Sequence, residues 1–259
     1  MDETIDLIQQ QIDEIEAVHH VSILYAVESG SRAWGFASPD SDFDVRFLYV
    51  RPVRDYLRIR PMRDVIELPL TGELDTSGWD IVKALNLFRS SNPALLEWLR
   101  SPIVYRERGG LADRLRDLAE THASARRMSY HYLSMARGQY KDYVADKTSV
   151  SLKKYLYALR PIFCLLWIEQ SGLPPPTAVT EILANVVLPN GIGALVQSIL
   201  ERKRAAIELE QAPAISEMDD FILSEIERFE RTVPGLPDPT IDAGILDNLL
   251  QETLGMPGP

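Results

Sequence analysis

Ile5, Ile8, Ile12 and Ile15 recur at steps of three and four residues. That spacing predicts an amphipathic N-terminal helix that covers a sheet still to come. The period then changes to two. Val21–Val27 and Asp42–Val50 are β-type runs, and they predict two strands separated by Ser29-Gly30-Ser31 and a polar loop. Pro52 suits the first turn of a short helix through Leu57. Asp64–Leu70 and Glu73–Ser77 predict two more strands, joined as a hairpin at Thr71-Gly72. A helix follows from Ile81 to about Ser90. Asn92-Pro93 supplies an N-cap and a first-turn proline for another, Ala94–Arg100, and Ile103–Tyr105 is the last predicted strand. From Leu111 onward the strand signal stops. Helices are predicted near 111–121, 124–145, 150–170, 177–186, 192–211, 216–232 and 240–253. Pro161 should kink the third of these or end its first half, and the prolines at 174–176 and 234–239 separate helices.

The pattern divides the chain into an α/β half, residues 1–107, and an all-helical half, residues 108–259, with the cut near Gly109-Gly110. The expected class is α+β. A length of 259 residues supports a sizeable core, and 46% hydrophobic with 25% charged residues is the balance of a soluble globular protein. No apolar run approaches the roughly 20 residues of a membrane span; the longest, Ile162–Ile168, reads as a buried helix segment. The acidic start MDETIDLIQQ is no signal peptide, so the cytoplasm is the expected compartment. Cys164, the single cysteine, sits between Phe163 and Leu165 and reads as core rather than as a nucleophile.

Charge refines the picture. A formal net charge of −11 argues against a surface coated for nucleic acid. The average hides a gradient, because residues 1–16 hold six acids and no Lys or Arg. Residues 121–160 carry eight Lys/Arg against Asp142 and Asp146, a local +6, together with six of the ten tyrosines. That segment invites a polyanion.

The chemistry concentrates between Tyr25 and Val50. Alternate strand residues share a face, so Asp42-Phe43-Asp44 aims two carboxylates at one spot. Paired hard oxygen ligands suit Mg²⁺ with a substrate phosphate. Gly30 permits a turn whose amide N–H groups face an anion, and a short helix starting at Ser31 would add its positive end. Together these residues point to nucleotide chemistry.

Gly30-Ser31, Gly35 and Ser41-Asp42-Phe43-Asp44 resemble the GS…G…SDxD signature of the DNA polymerase β nucleotidyltransferase superfamily. The longer string ESGSRAWGFASPDSDFDVRF resembles its branch of bacterial nucleotidyltransferases, some linked to RNA repair. The resemblance implies a mixed-sheet catalytic domain followed by a helical domain, with the substrate between the two. It also implies a third carboxylate. Asp75 lies in a strand-like run, whereas Asp80, of opposite parity, directly precedes a helix and reads as its N-cap. The family pattern places an acid about eight residues before the lysine that corresponds to Lys83, which favours Asp75; Glu73 shares its face.

On this resemblance Asp42, Asp44 and Asp75 would be the catalytic and metal-binding set for two Mg²⁺ ions, with Asp75 ligating the second ion or taking the hydroxyl proton. Gly30 and Ser31 would position the NTP phosphates and Arg32 would add charge. Arg46, on the face of Asp44, would orient a carboxylate or reach a phosphate. Farther along, Arg126, Tyr130, Arg137 and Lys141 share one helix face, as do Lys153 or Lys154, Tyr157 and Arg160. Lys153, Lys154 and Arg160 are the expected nucleotide-binding cations, with the 126–141 face left for the acceptor. His19, His20, His122 and His131 have no metal-ligand spacing. The leading expectation is Mg²⁺-dependent NMP transfer from an NTP to a hydroxyl, with an RNA 3′ end as the preferred acceptor and no membrane partner. The alternatives are transfer to a small-molecule or protein hydroxyl, and a nucleotide-binding module without turnover.

Overall fold

A computed structural model describes residues 2–39, 41–70, 72–189, 191–205 and 211–256. Thr71, half of the expected hairpin dipeptide, and 206–210, the end of the helix expected to reach 211, lie outside the described residues. The first elements are α1 (Asp2–His19), β1 (Ser22–Ser29), α2 (Gly30–Trp34), β2 (Phe43–Val50), α3 (Val53–Tyr56), β3 (Val65–Glu67) and β4 (Leu74–Asp80). Then come α4 (Ile81–Arg89), α5 (Pro93–Leu99), β5 (Val104–Glu107), α6 (Leu111–His122) and α7 (Ala125–Tyr143). After these run β6 (Ser149–Ser151), α8 (Leu152–Ser171), α9 (Val179–Asn185), α10 (Ile192–Ala205), β7 (Gln211–Pro213), α11 (Ser216–Thr232) and α12 (Ala243–Thr253). The class is α+β.

Contacts divide the chain into two compact units. One comprises Met1–Gly30, Asp42–His122 and Thr240–Pro259; the other Ser31–Ser41 and Ala123–Pro239. This differs from a single cut near residue 107. Residues 108–122 and the C-terminal helix belong with the sheet, and the motif loop belongs with the helices.

In the first unit, strands run in the order β3-β4-β2-β1-β5. β2 and β4 are parallel and the other neighbours antiparallel. Ile8, Ile12 and Ile15 of α1 are buried against Ile23, Val45, Phe47 and Tyr49, so the stripe covers one face of the sheet. Ile5 stays more exposed, at 38%. Gly78 lies beneath the Phe47 ring, where an added Cβ would come within 2.2 Å of its carbons; a strand glycine here lets the ring cross the backbone. On the other face Trp79 stacks on Trp98 of α5 at 3.8 Å. Tyr25 donates its hydroxyl to the Trp98 carbonyl at 3.0 Å and receives Arg116 Nη2 at 3.1 Å. A register shift between Ile23 and Tyr25 lets β1 supply both layers. α12 packs on α4 and ties to α6 through the Arg114–Glu252 ion pair.

The second unit is built on α7 packed along α8. Ser124 caps α7 by accepting from the Arg127 N–H at 3.1 Å. α8 runs through Pro161 without ending, contrary to a break there; proline removes only its own backbone donor from a helix otherwise buried on most sides. This half is not wholly helical. β6 and β7 form a two-stranded antiparallel sheet.

Candidate active site

β2 and β4 pair in parallel with Asp44 opposite Asp75. Register partners carry their side chains on the same face, so the two carboxylates stand side by side at the amino ends of these strands. Arg46, two residues along that face, joins them. Its Nη2 donates to Asp44 Oδ1 at 3.1 Å and to Asp75 Oδ2 at 2.7 Å, and its Nη1 donates to the Asp75 carbonyl at 2.7 Å. Both acids remain accessible, with side chains 28% and 47% exposed. Asp42 precedes β2 and is exposed.

Gly30 closes the site from β1. Its φ is +61°, and an added Cβ would lie 2.0 Å from Asp44 Oδ2. Glycine is therefore required twice over, by the left-handed backbone and by the carboxylate pressed against it. Asp44 is also held from behind. Glu28, fully buried, accepts from the Asp44 N–H at 2.8 Å through Oε1 and from the Tyr105 hydroxyl through Oε2. A buried carboxylate is tolerated when it is hydrogen-bonded, and these bonds fix where β2 begins.

Asp80 sits at the far end of β4 on the opposite face. It caps α4, accepting from the Val82 N–H at 2.9 Å, and it also accepts from the Tyr56 hydroxyl at 3.0 Å. Burial pushes its carboxyl above the ordinary value, and these two hydrogen bonds and Arg51 only partly offset that. Tyr56 is pushed well above the normal phenol range, chiefly by burial.

The second unit holds the other candidates. Arg32 donates from Nη2 to the Ser41 carbonyl at 2.5 Å, and Ser38 N–H donates to Ser41 Oγ at 3.0 Å, so the motif loop is closed on itself. Trp34 lies edge-on to Tyr157 of α8 at 5.7 Å, and the Arg160 guanidinium lies 4.2 Å from the Trp34 ring centre. Arg160 is only 2% exposed, so it anchors this loop rather than facing solvent. Lys154 Nζ sits 3.4 Å from the Tyr143 ring centre, and Lys153 Nζ sits 5.7 Å from that of Tyr157. Both lysines occupy the first turn of α8, where the helix dipole opposes a cation and attracts an anion. The 126–141 segment is partly matched internally: Arg126 Nε donates to the Leu236 carbonyl at 2.9 Å. Arg127 pairs with Asp238 at 2.8 Å, and Arg137 bonds Glu230 from Nε at 2.8 Å.

A family model described as "RNA repair pathway DNA polymerase beta family" matches residues 4–252. The chain belongs to that family. A curated relative, the uncharacterized protein YcgL of Bacillus subtilis (strain 168), is 47% identical over 223 residues, which is 85% of each chain. A crystal structure of a nucleotidyltransferase-like protein from Exiguobacterium sibiricum 255-15 is 13% identical and covers 88% of this chain and 75% of that one, with a TM-score of 0.33.

The donors in this polymerase-β-family site are chemically suited to a hard divalent cation: adjacent carboxylate oxygens, and a Cβ-free cradle at Gly30 beside one of them. Among the described residues no three His, Cys, Asp or Glu side chains are gathered into a metal-ligand cluster. The Arg46 guanidinium pairs with both Asp44 and Asp75 and relieves their mutual repulsion. Glu28 was not singled out from sequence. Its signal is slight, an acid two residues before Gly30 inside an apolar strand. No helix among the described residues is long and apolar enough to cross a membrane.

Proposed function

We propose that this chain is a Mg²⁺-dependent cytoplasmic nucleotidyltransferase that moves an NMP from an NTP to a hydroxyl, with an RNA 3′ end as acceptor. The carrying observation is the register of Asp44 with Asp75, closed by Gly30, in a member of this family. The acceptor oxygen bonds to the α-phosphorus, the bond to the β-phosphate oxygen breaks, and pyrophosphate leaves. Asp42, Asp44 and Asp75 would hold two Mg²⁺ ions, whose charge would supply stabilisation to the reacting phosphate oxygens. Asp75, the more exposed of the registered pair, also takes the acceptor proton. Arg46 orients both carboxylates by its paired hydrogen bonds. Gly30 and Ser31 present donors to the phosphates. Lys153 and Lys154 add charge for the NTP, and Arg32 and Arg160 shape the loop that carries Ser31.

The test incubates the protein with Mg²⁺, each labelled NTP, and either tRNA or no added acceptor. Label should enter the RNA and be released with 3′-end digestion. Asp42→Ala and Asp44→Ala should each lose far more than tenfold in rate while remaining folded. A loss below about tenfold in both, some 1.4 kcal/mol of barrier, refutes the metal assignment. Label entering the protein or a small hydroxyl compound instead of RNA refutes the acceptor.

A further inference from the structure

Residues 51–63, RPVRDYLRIRPMR, set five arginines against Asp55 in a chain of net charge −11. Arg58 is engaged by Asp55 at 2.7 Å and Arg63 by Glu67. Arg54 and Arg60 are exposed and form no ion pair among the described residues. Leu57, Ile59 and Met62 alternate with these arginines and are exposed too. A merely solvated loop has no reason to present cations and large apolar groups together.

This segment rims an open pocket of about 650 Å³ at the carboxyl ends of the parallel strands β2 and β4. Its lining mixes Arg51, Asp80 and Asn86 with Met62, Leu87 and Leu250. Arg51 is the informative residue. Its side chain is 9% exposed, and its Nε has no hydrogen-bond partner. The nearest carboxylate oxygen, Asp80 Oδ2, is 3.9 Å away, and the guanidinium rests over the Tyr49 ring at 5.2 Å. Arg51 Nη2 donates to the Tyr49 hydroxyl and the Arg63 carbonyl, each at 3.3 Å, so the cost falls on the buried Nε–H, which an acceptor supplied by a ligand would satisfy.

We propose that this pocket and the arginine segment bind single-stranded RNA, with one base seated against Arg51 and Asn86 and the flanking phosphates on Arg54, Arg58 and Arg60. The proposal rests on the reading of RNA as acceptor and says where that strand lies outside the catalytic carboxylates. A splayed base offers ring acceptors to Arg51 and an apolar body to Met62 and Leu250, and guanidinium planes stack on bases. The charged side chains in the lining, Arg51, Asp64, Asp80 and Lys83, are wrong for an acyl chain, which argues against a lipid surface as the partner of the same basic and apolar groups. Asp75 and Asp80 are five residues apart on β4, about 16 Å. The two residues face opposite sides of the sheet, so a strand seated at the pocket passes round the sheet to reach the carboxylates.

The test is fluorescence anisotropy of the full chain with a labelled single-stranded RNA oligonucleotide, in EDTA and without NTP. Wild type should bind, with log K falling linearly against log salt. The triple variant Arg54→Gln, Arg58→Gln, Arg60→Gln should bind at least about tenfold more weakly, with the slope flattened by about 2, three contacts at roughly 0.7 each. Asn86→Trp, at an exposed helix position that fills the pocket, should weaken binding without changing the slope. Asp44→Ala should abolish transfer and keep RNA affinity, so failure of the catalytic reading is read separately from failure of this one. Three results overturn the proposal: no RNA binding by wild type, an unchanged affinity and slope in the triple variant, or loss of binding to anionic lipid vesicles in that variant with RNA binding intact.

Discussion

Gly30→Ala is the sharpest single probe of the site, because two separable costs fall on one methyl group. The first is conformational. At φ +61° an alanine sits in the left-handed region, at about 1–2 kcal/mol relative to the right-handed form. The second is steric. The new Cβ would stand 2.0 Å from Asp44 Oδ2 and 2.9 Å from its Cγ. Contacts of that kind are not sustained in folded proteins, so the carboxylate must move by an ångström or more. Glu28 and Arg46 limit where it can go, since they hold the Asp44 amide and Oδ1. A displacement of 1 Å in a catalytic group costs about 10²-fold in rate, near 2.7 kcal/mol of barrier. Gly109→Ala separates the two terms. It has φ +71° in the same unit, and an added Cβ there meets nothing within 4 Å. Urea denaturation should show both variants destabilised, Gly109→Ala by about 1 kcal/mol and Gly30→Ala by more. Transfer assayed with labelled NTP should fall about a hundredfold in Gly30→Ala and stay near wild type in Gly109→Ala. Equal activities in the two variants, or a Gly30→Ala rate within tenfold of wild type, would refute the assigned role of Asp44.

Three further expectations concern single side chains. Asp75→Asn should be nearly inactive, whereas Asp80→Asn should keep transfer, because Asp80 accepts bonds from Val82 and Tyr56 at the other end of β4. The raised carboxyl of Asp80 binds protons more readily folded than unfolded, so its contribution to stability is complete below the ordinary carboxyl value of an unfolded aspartate, about 3.9, and is lost as pH rises through its higher folded value. Denaturation of Asp80→Asn against wild type across that window should therefore shift progressively in favour of asparagine; a shift the other way defeats the argument. Lys153→Gln removes a cation from the first turn of α8 and should leave stability unchanged or raise it by up to about 1 kcal/mol, while weakening NTP binding measured by calorimetry. A loss of stability with unaltered NTP affinity would make Lys153 structural.

Much of the fold is legible locally. The three- and four-residue steps of Ile8, Ile12 and Ile15 and the period-two runs around Val45 and Phe47 state which faces are buried, and Asn92-Pro93 states where α5 starts. What is not legible is pairing at a distance. β6 and β7 have three residues each, too few for a period to appear, and they become strands only by pairing across some sixty residues. α12 has a helical pattern, but no local feature says that it returns to α4. The same holds for the motif loop, whose Trp34 is placed by Tyr157 and Arg160 on α8.

The site obeys the same rule, and charge shows why. A window sum of +6 over residues 121–160 counts cations without their partners. Asp238 and Glu230 come back from far along the chain to Arg127 and Arg137, so the surplus on α7 is partly spent inside the molecule. The shorter run 51–63 contains fewer positive charges, yet Arg54 and Arg60 form no ion pair among the described residues and the buried Arg51 Nε has no hydrogen-bond partner there. Field strength at a surface depends on charge left over after folding. Arg46 makes the point within the candidate site itself. From sequence it shares a face with Asp44. Only the parallel register of β4, which brings Asp75 alongside, makes that one guanidinium the common partner of two carboxylates. Those three side chains together carry one negative charge in excess, an electrostatic setting that draws a divalent cation without leaving two bare acids in contact.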